Sequence, residues 1–297
     1  MKFTKYIFLI FIIPIYCQFG KNIVQYKSFD WYYIQSKYFD VYFYDSDKGS
    51  TNINSNAEFV ARESLKSYDI ISNAIGWKLK NRIPIIVYNS HNDFQQTNII
   101  DMYMPEGVGG VTELYKNRVV IPFDGNNNQF KTVIHHELVH AFINDYIYKG
   151  SIQNMQNDDV ILIPLWMNEG LAEFLSTPWQ TESDMWMRDL VVNGEKLPKL
   201  NELNGYLAYR GGQSVWKYIV EELDTLYAQG KTEAPSIIAS IFSAISTSSD
   251  LNTALEKALD LDLESLESGW HKYIKSEYWP DINNRDYLDD VSSTIFD

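Results

Sequence analysis

One cysteine, Cys17, is all that the 297 residues contain, so no disulfide can form within the chain. Cysteine usage therefore says nothing about an oxidising compartment, and a case for export has to rest on another feature. Positive charge is scarce too: 25 lysines and arginines face 39 aspartates and glutamates, a formal net charge of −14. A surface this acidic excludes nucleic-acid binding through a general basic face. Beyond the first seventeen residues no run is long and apolar enough for a membrane helix. Internal repeats and low-complexity tracts are lacking as well. Histidine is rare, five in all, and three of the five crowd together as His135, His136 and His140.

That crowded stretch, His136-Glu137-Leu138-Val139-His140, is the most informative part of what the chain does have. Two imidazoles four residues apart on a helix project from one face, where both can reach a single cation. The glutamate between them points to the neighbouring sector, close enough to touch a metal-bound water without ligating the metal. This is the HExxH arrangement of zinc hydrolases. Phe130, Val133, Ile134, Leu138, Ala141 and Phe142 recur at near-helical spacing and predict an apolar stripe along such a helix. Asp124 to Asn128 is a turn cluster that can supply its N-cap. The plain alternative is a helix that happens to carry histidines on a half-buried face.

A catalytic zinc site needs three protein ligands and one open position. The third candidate is Glu169, in Leu165-Trp166-Met167-Asn168-Glu169-Gly170-Leu171-Ala172-Glu173-Phe174. The segment reads as a second helix, with Pro164 where a helix start tolerates proline. Glu169 and Glu173 stand at i and i+4 and share a face, so one carboxylate can bind metal while the other accepts the distal N–H of a ligand histidine. A solvated acidic face is the competing reading in so acidic a chain. Against it, these acids sit within an apolar run, and buried carboxylates without partners are costly.

HExxH followed by Trp-x-Asn-Glu-Gly-x-Ala resembles the gluzincin metallopeptidases, the group of the thermolysin-like and aminopeptidase zinc enzymes. The resemblance implies His136, His140 and Glu169 as Zn²⁺ ligands, Glu137 as general base and Glu173 as the acid that orients a histidine. The gap from His140 to Glu169 is longer than the group's usual one, and Gly150 to Asp159 reads as a loop insertion that would account for it. The run from Phe19 to Pro280 is also similar to a bacterial family in which a gluzincin-like domain precedes a Tol-type β-propeller. Arg82 to Ser90, Glu106 to Gly110 and Tyr209 to Ser214 carry that likeness, and it implies a possible propeller domain in longer relatives.

The first residues form a separate unit. Lys2 and Lys5 precede an apolar run from Ile7 to Ile13 that ends at Pro14, which reads as a secretory signal peptide, 1–17, and a secreted or periplasmic product. Lipid anchoring at Cys17 is the less favoured alternative, because Tyr16 is bulky where a small residue is usual. Removing Lys2 and Lys5 with this leader would take the formal charge from −14 to −16.

Behind it the expected class is α+β, a gluzincin-like two-lobe fold. Residues 18–149 form a mixed, β-containing lobe with the HExxH helix. Strands are expected at 39–44, 83–88, 111–114 and 118–123, and a helix from Ala57 to Ile75 stopped by Gly76. Residues 150–280 form a helical lobe bearing Glu169, with helical patterns at 164–176, 183–193, 211–228, 234–247, 251–260 and 263–277. Pro280-Asp281 breaks the last helix, and the aspartate-rich 281–297 reads as a linker or tail.

Weaker signals surround the motif. Gly109 and Gly110 precede a strand that could pair with an extended peptide substrate by strand addition, although a simple bulge or turn fits them equally. Tyr209, ahead of a helix, could donate to the oxyanion of a tetrahedral intermediate, while a packing role is the default among 21 tyrosines. His135, His91 and His271 read as structural. Glu182, Asp184 and Arg188 match the family pattern without an evident chemical role. Two functions follow: a zinc metallopeptidase acting on a peptide or protein substrate, or an inactive peptidase-fold binding module of the cell envelope.

Overall fold

The computed structural model describes residues 26–44, 55–100, 104–150, 161–194, 196–224 and 236–283. The expected leader 1–17, Cys17, most of the 150–159 insertion and the tail beyond 283 lie outside the described residues.

The fold is mixed α+β. Five strands, β1 (Trp31–Gln35), β2 (Phe39–Tyr44), β3 (Ile83–Tyr88), β4 (Val111–Glu113) and β5 (Arg118–Pro122), form one sheet in the order β1-β2-β3-β5-β4. β2, β3 and β5 run parallel, while β1 and β4 close the two edges antiparallel. Parallel strands buried on both faces must be apolar on both, and these are. Phe39, Val41, Ile83, Ile85, Val87, Val119 and Ile121 point into the main core, whereas Tyr44, Ile86, Tyr88 and Val120 join a second, smaller cluster on the opposite face. The smaller cluster is covered in part by the one-turn helix α2 (His91–Phe94). The strand at 31–35 was not foreseen. It is an edge strand whose aromatic run Trp31-Tyr32-Tyr33 is largely exposed, so it lacks the alternation that marks a half-buried strand.

Two long helices pack on the main face of the sheet: α1 (Ser55–Ile75) and α3 (Asn127–Ile147). Gly76 ends α1 with φ 71°, as expected, and its bare Cα also allows the close approach of Ala239. The Asn126 side chain caps α3 by accepting from the amides of Asn128 and Gln129. The six expected apolar positions all lie in or against the main core, and beyond them α3 is buried on nearly every side from Ile134 to Ile147. It is a central helix, with sheet and α1 on one flank and helical structure on the other.

The helical part comprises α4 (Leu165–Ser176), α5 (Thr181–Asn193), α6 (Tyr206–Tyr218), a π-helical turn (Ile219–Leu223), α7 (Ile237–Ile245), α8 (Leu251–Leu259), α9 (Leu263–Glu277) and α10 (Trp279–Asn283). One hydrophobic cluster runs without a break from Phe39 in the sheet to Tyr278. The expected break at Pro280-Asp281 is corrected: α9 closes at Tyr278, the short α10 follows, and Asp281 pairs with Arg188 at 2.9 Å. The proline sits near the start of a helix, where its missing N–H costs nothing.

α4 and α6 cross at glycine on glycine. A Cβ on Gly170 would overlap the backbone of Gly212, and one on Gly212 would strike the Trp166 carbonyl oxygen. Neither obstacle is a side chain that could turn aside. Gly170→Ala is therefore expected to destabilise the fold by about 3 kcal/mol, read as a fall in Tm of about 6–12 °C. An unchanged melting curve would rule out so close a crossing.

Candidate metal centre

The crossing matters because it sets Glu169, the residue before Gly170, against α3. His136 and His140 lie one helical turn apart with Nε2 atoms 3.1 Å from each other. Glu169 Oε2 is 3.3 Å from the first and 3.2 Å from the second. One donor atom from each of the three residues falls within a 4.8 Å cluster. Three Lewis bases thus converge on one point in a nearly closed setting, their side chains 10–15% exposed. Despite the short distances, Glu169 Oε2 is buried and accepts no properly directed hydrogen bond. An orphaned carboxylate oxygen facing two imidazole nitrogens is costly by itself. It is what a site built for a cation leaves behind, and two imidazoles with one carboxylate form a donor set suited to zinc.

Each ligand candidate is held from behind. Glu173 Oε1 lies 3.4 Å from His136 Nδ1, and Asn168 Oδ1 lies 3.1 Å from His140 Nδ1. Both contacts leave Nε2 turned toward the shared point. Burial works against a charged His136, but the Glu169 and Glu173 carboxylates beside it and the charge of Glu137 outweigh it and raise its pKa. Burial likewise opposes an ionised Glu169, and the two histidines more than offset it and pull its pKa down.

Glu137 is adjacent to the cluster but outside the ligand set. The Thr112 hydroxyl is 2.7 Å from Glu137 Oε2 and 2.8 Å from the Glu137 backbone oxygen. β4, which carries Thr112, is the outer edge of the sheet, and the Gly107–Gly110 segment leading into it lines a cleft of about 340 Å³. His136, Glu137, Glu173, Tyr206, Tyr209 and Arg210 face the same cleft. A Cβ on Gly110 would come within 3.0 Å of Glu137 Cγ, Ile121 Cγ2 and Val133 Cγ1, and one on Gly109 within 3.2 Å of Val133 Cγ2. At Gly110 the bare backbone is needed for close approach to Glu137.

Tyr209 is in α6, in its first turn and not ahead of the helix as expected, because α6 starts at Tyr206. Its ring stacks on His136 at 5.9 Å between centroids and 10° between planes. Burial first, then the charge and hydrogen bonding of Glu169, push its phenol pKa well above the ordinary value. The group stays a donor across the physiological range.

Of the candidate site residues, Gly109, Gly110, His136, Glu137, Glu173 and Tyr209 line this cleft, and His140 and Glu169 meet His136 beside it. Three others that matter were missed: Thr112, Asn168 and Arg210. Asn168 stood in the recognised Asn-Glu element, but only the fold shows that its amide oxygen meets His140. Nothing in the local sequence around Thr112 marks it, and Arg210 stood in the Tyr209 to Ser214 block that carries the family likeness, without a role of its own. Glu182, Asp184 and Arg188 now have partners: Glu182 binds Arg210 and the Tyr206 hydroxyl, while Asp184 binds Arg188 and the Tyr278 hydroxyl.

The other histidines are structural. His271 Nε2 bonds the Pro198 carbonyl at 2.8 Å, and His91 opens α2 against the Phe94 ring. His135 is buried with Nδ1 3.0 Å from Ser67 Oγ. Burial, with smaller contributions from the charges of His136 and Lys131, lowers its pKa to about 4. A histidine kept neutral in the fold contributes stability that is whole above its unfolded pKa, about 6.5, and is lost as pH falls toward about 4. The loss is about 3 kcal/mol over that window. Urea unfolding of the metal-free protein should show it, and His135→Gln should flatten the acid limb. An identical pH dependence in the variant would refute the assignment.

Residues 66–276 match the sequence model of the Peptidase MA superfamily. Among solved structures, the chain is similar to an M1 zinc metallopeptidase mutant from Deinococcus radiodurans, at 14% identity and a TM-score of 0.45. The match covers 80% of this chain and 50% of that one, so the chain spans about half the length of that structure. A search of curated proteins gives no match.

Proposed function

The chain belongs to the Peptidase MA superfamily, and from that premise we propose that it is a zinc-dependent metallopeptidase, hydrolysing peptide bonds in a peptide or protein substrate. The observation that carries this reading is the convergence of His136, His140 and the orphaned Glu169 Oε2 on one point beside Glu137. These three residues would hold Zn²⁺. When bound, the ion supplies Lewis-acid polarisation of the scissile carbonyl and acidifies the attacking water.

The chain's own groups do the rest. Glu137 takes the proton of the attacking water and passes it to the leaving amine. Thr112 fixes the carboxylate for that task by donating to Oε2. Gly109 and Gly110 bring the rim of edge strand β4 next to the base, where an extended substrate can add as a further strand. Tyr209, held protonated, donates to the developing oxyanion. Tyr209→Phe is then expected to lower kcat by about 10²-fold with zinc content unchanged; a kcat equal to wild type would assign the ring to packing alone. We also propose export through the 1–17 leader, which N-terminal sequencing of the secreted or periplasmic product would test: a retained residue 1 would sink it.

The direct test combines metal analysis of the purified protein with cleavage of a mixed peptide library before and after chelation. One equivalent of zinc, with cleavage lost on stripping and restored by zinc, is the expected result. Peptide binding without cleavage in the zinc-loaded protein would favour the inactive module instead.

A further inference from the structure

Arg210 also faces the cleft, yet its guanidinium is already committed to the protein. Nη1 lies 3.1 Å from Glu173 Oε2 and 3.3 Å from Ser183 Oγ, Nη2 is 3.2 Å from Glu182 Oε1, and Nε is 3.1 Å from the Tyr206 hydroxyl. The side chain is only 14% exposed. Three helices meet on this one group: α4 through Glu173, α5 through Glu182 and Ser183, and α6 through Arg210 itself and Tyr206. Four of its five N–H donors are taken by the protein's own side chains, so the group is held in place by the fold itself.

The division of labour on Glu173 gives the arginine its meaning. One carboxylate oxygen, Oε1, faces His136 Nδ1 at 3.4 Å, while the other, Oε2, is taken by Arg210. With the arginine in place the carboxylate has one rotation available, the one that presents Oε1 to the imidazole. That in turn turns His136 Nε2 to the point it shares with His140 and Glu169. The charge matters as well. Glu169, Glu173 and Glu137 put three carboxylates around one candidate metal position, and Arg210 is the one fixed cation bonded to any of them among the described residues. Without it, Glu173 would be a half-buried carboxylate free to swing toward the ligand cluster or out to water.

We propose that Arg210 is a positioning residue for the metal centre, acting through Glu173 on His136. The inference rests on the zinc reading above but concerns how the apo chain is preset to take the ion. Orienting partners of ligand histidines typically contribute 10–100-fold to metal affinity, and an arginine that holds such a partner belongs at the lower end of that range.

The test is a competition titration of zinc-stripped protein against a chromogenic chelator, which needs no turnover. Arg210→Met, which keeps the aliphatic stem, is expected to weaken zinc binding about tenfold. Glu173→Gln should weaken it by a similar or larger factor, and the double variant should be no weaker than Glu173→Gln alone. Ser183→Ala removes another Arg210 contact without touching Glu173 and should hold zinc affinity within about twofold of wild type. Unchanged affinity in Arg210→Met, multiplicative losses in the double variant, or a loss in Ser183→Ala as large as that in Arg210→Met would each overturn the inference while leaving the metallopeptidase reading intact. A wild type that takes up no zinc would overturn both. Near-UV circular dichroism on every variant separates misfolding from lost affinity: a folded Arg210→Met with weakened zinc supports the inference, and one weakened only because it has unfolded counts against it.

Discussion

Glu137→Gln is expected to lower kcat/KM for peptide cleavage by about 10³-fold while leaving a full equivalent of zinc in the protein. The amide matches the carboxylate in shape, and its oxygen can still accept the Thr112 hydroxyl that now lies 2.7 Å from Oε2. What it cannot do is take a proton from water at neutral pH. Losing a placed general base removes about 10²–10⁴ in rate, and this site offers no second free base. Glu169 is committed to the two imidazoles, and Glu173 to His136 and Arg210. Zinc should stay because the ligand cluster is His136, His140 and Glu169, without Glu137. Steady-state cleavage of a fluorogenic peptide and metal analysis on the same sample decide it. Cleavage within a few-fold of wild type would remove Glu137 from the mechanism.

Glu169→Ala should give the opposite split: metal lost first, activity lost in consequence. Among the described residues the carboxylate is the only ligand candidate from outside α3, and it supplies the one negative charge of the cluster. Removing a partner that merely orients a ligand costs 10–100-fold in affinity, so removing a ligand itself should cost more, at least about 10²-fold. The metal-free variant should also lose the pull that raises the His136 pKa, since Glu169 is the largest contributor acting in that direction. After dialysis against a chelator of moderate strength, wild type should retain zinc and the variant should not. Full stoichiometric zinc in Glu169→Ala would falsify the third-ligand assignment and direct the search to another oxygen donor.

Much of this site was legible in the chain because its elements carry their own periodicity. Two histidines four apart on a helix need no tertiary context to share a face, and the same holds for Glu169 and Glu173. The strands at 39–44 and 83–88 and the helix at 263–277 were readable to the residue for a related reason. Each carries its own apolar pattern, alternating at 39–44, continuous at 83–88 and of helical period at 263–277. Where the period was hidden, reading failed. β1 exposes Trp31, Tyr32 and Tyr33 alike, so its aromatics carry no inside-outside alternation. α3 is buried on nearly every side in its second half, so the expected stripe marks only part of the surface it buries. The early start of α6 went unseen because Gly205, with φ 54°, and Gly211-Gly212 look like a loop until the crossing with α4 explains the paired glycines.

By itself, then, the sequence determined the local half of the chemistry: which helix presents the two imidazoles, which residue between them is free to act as a base, and which second helix pairs two acids on one face. Those facts follow from 3.6 residues per turn and side-chain chemistry, which act over a few residues. Only the tertiary structure decided that Glu169 reaches the histidines across a 28-residue interval, that Thr112 holds Glu137, and that Arg210 ties α4, α5 and α6 together behind Glu173. Contacts between residues so far apart in the chain depend on how helices cross and where a sheet edge falls. Here the crossing is set by two glycines whose missing side chains let two backbones touch.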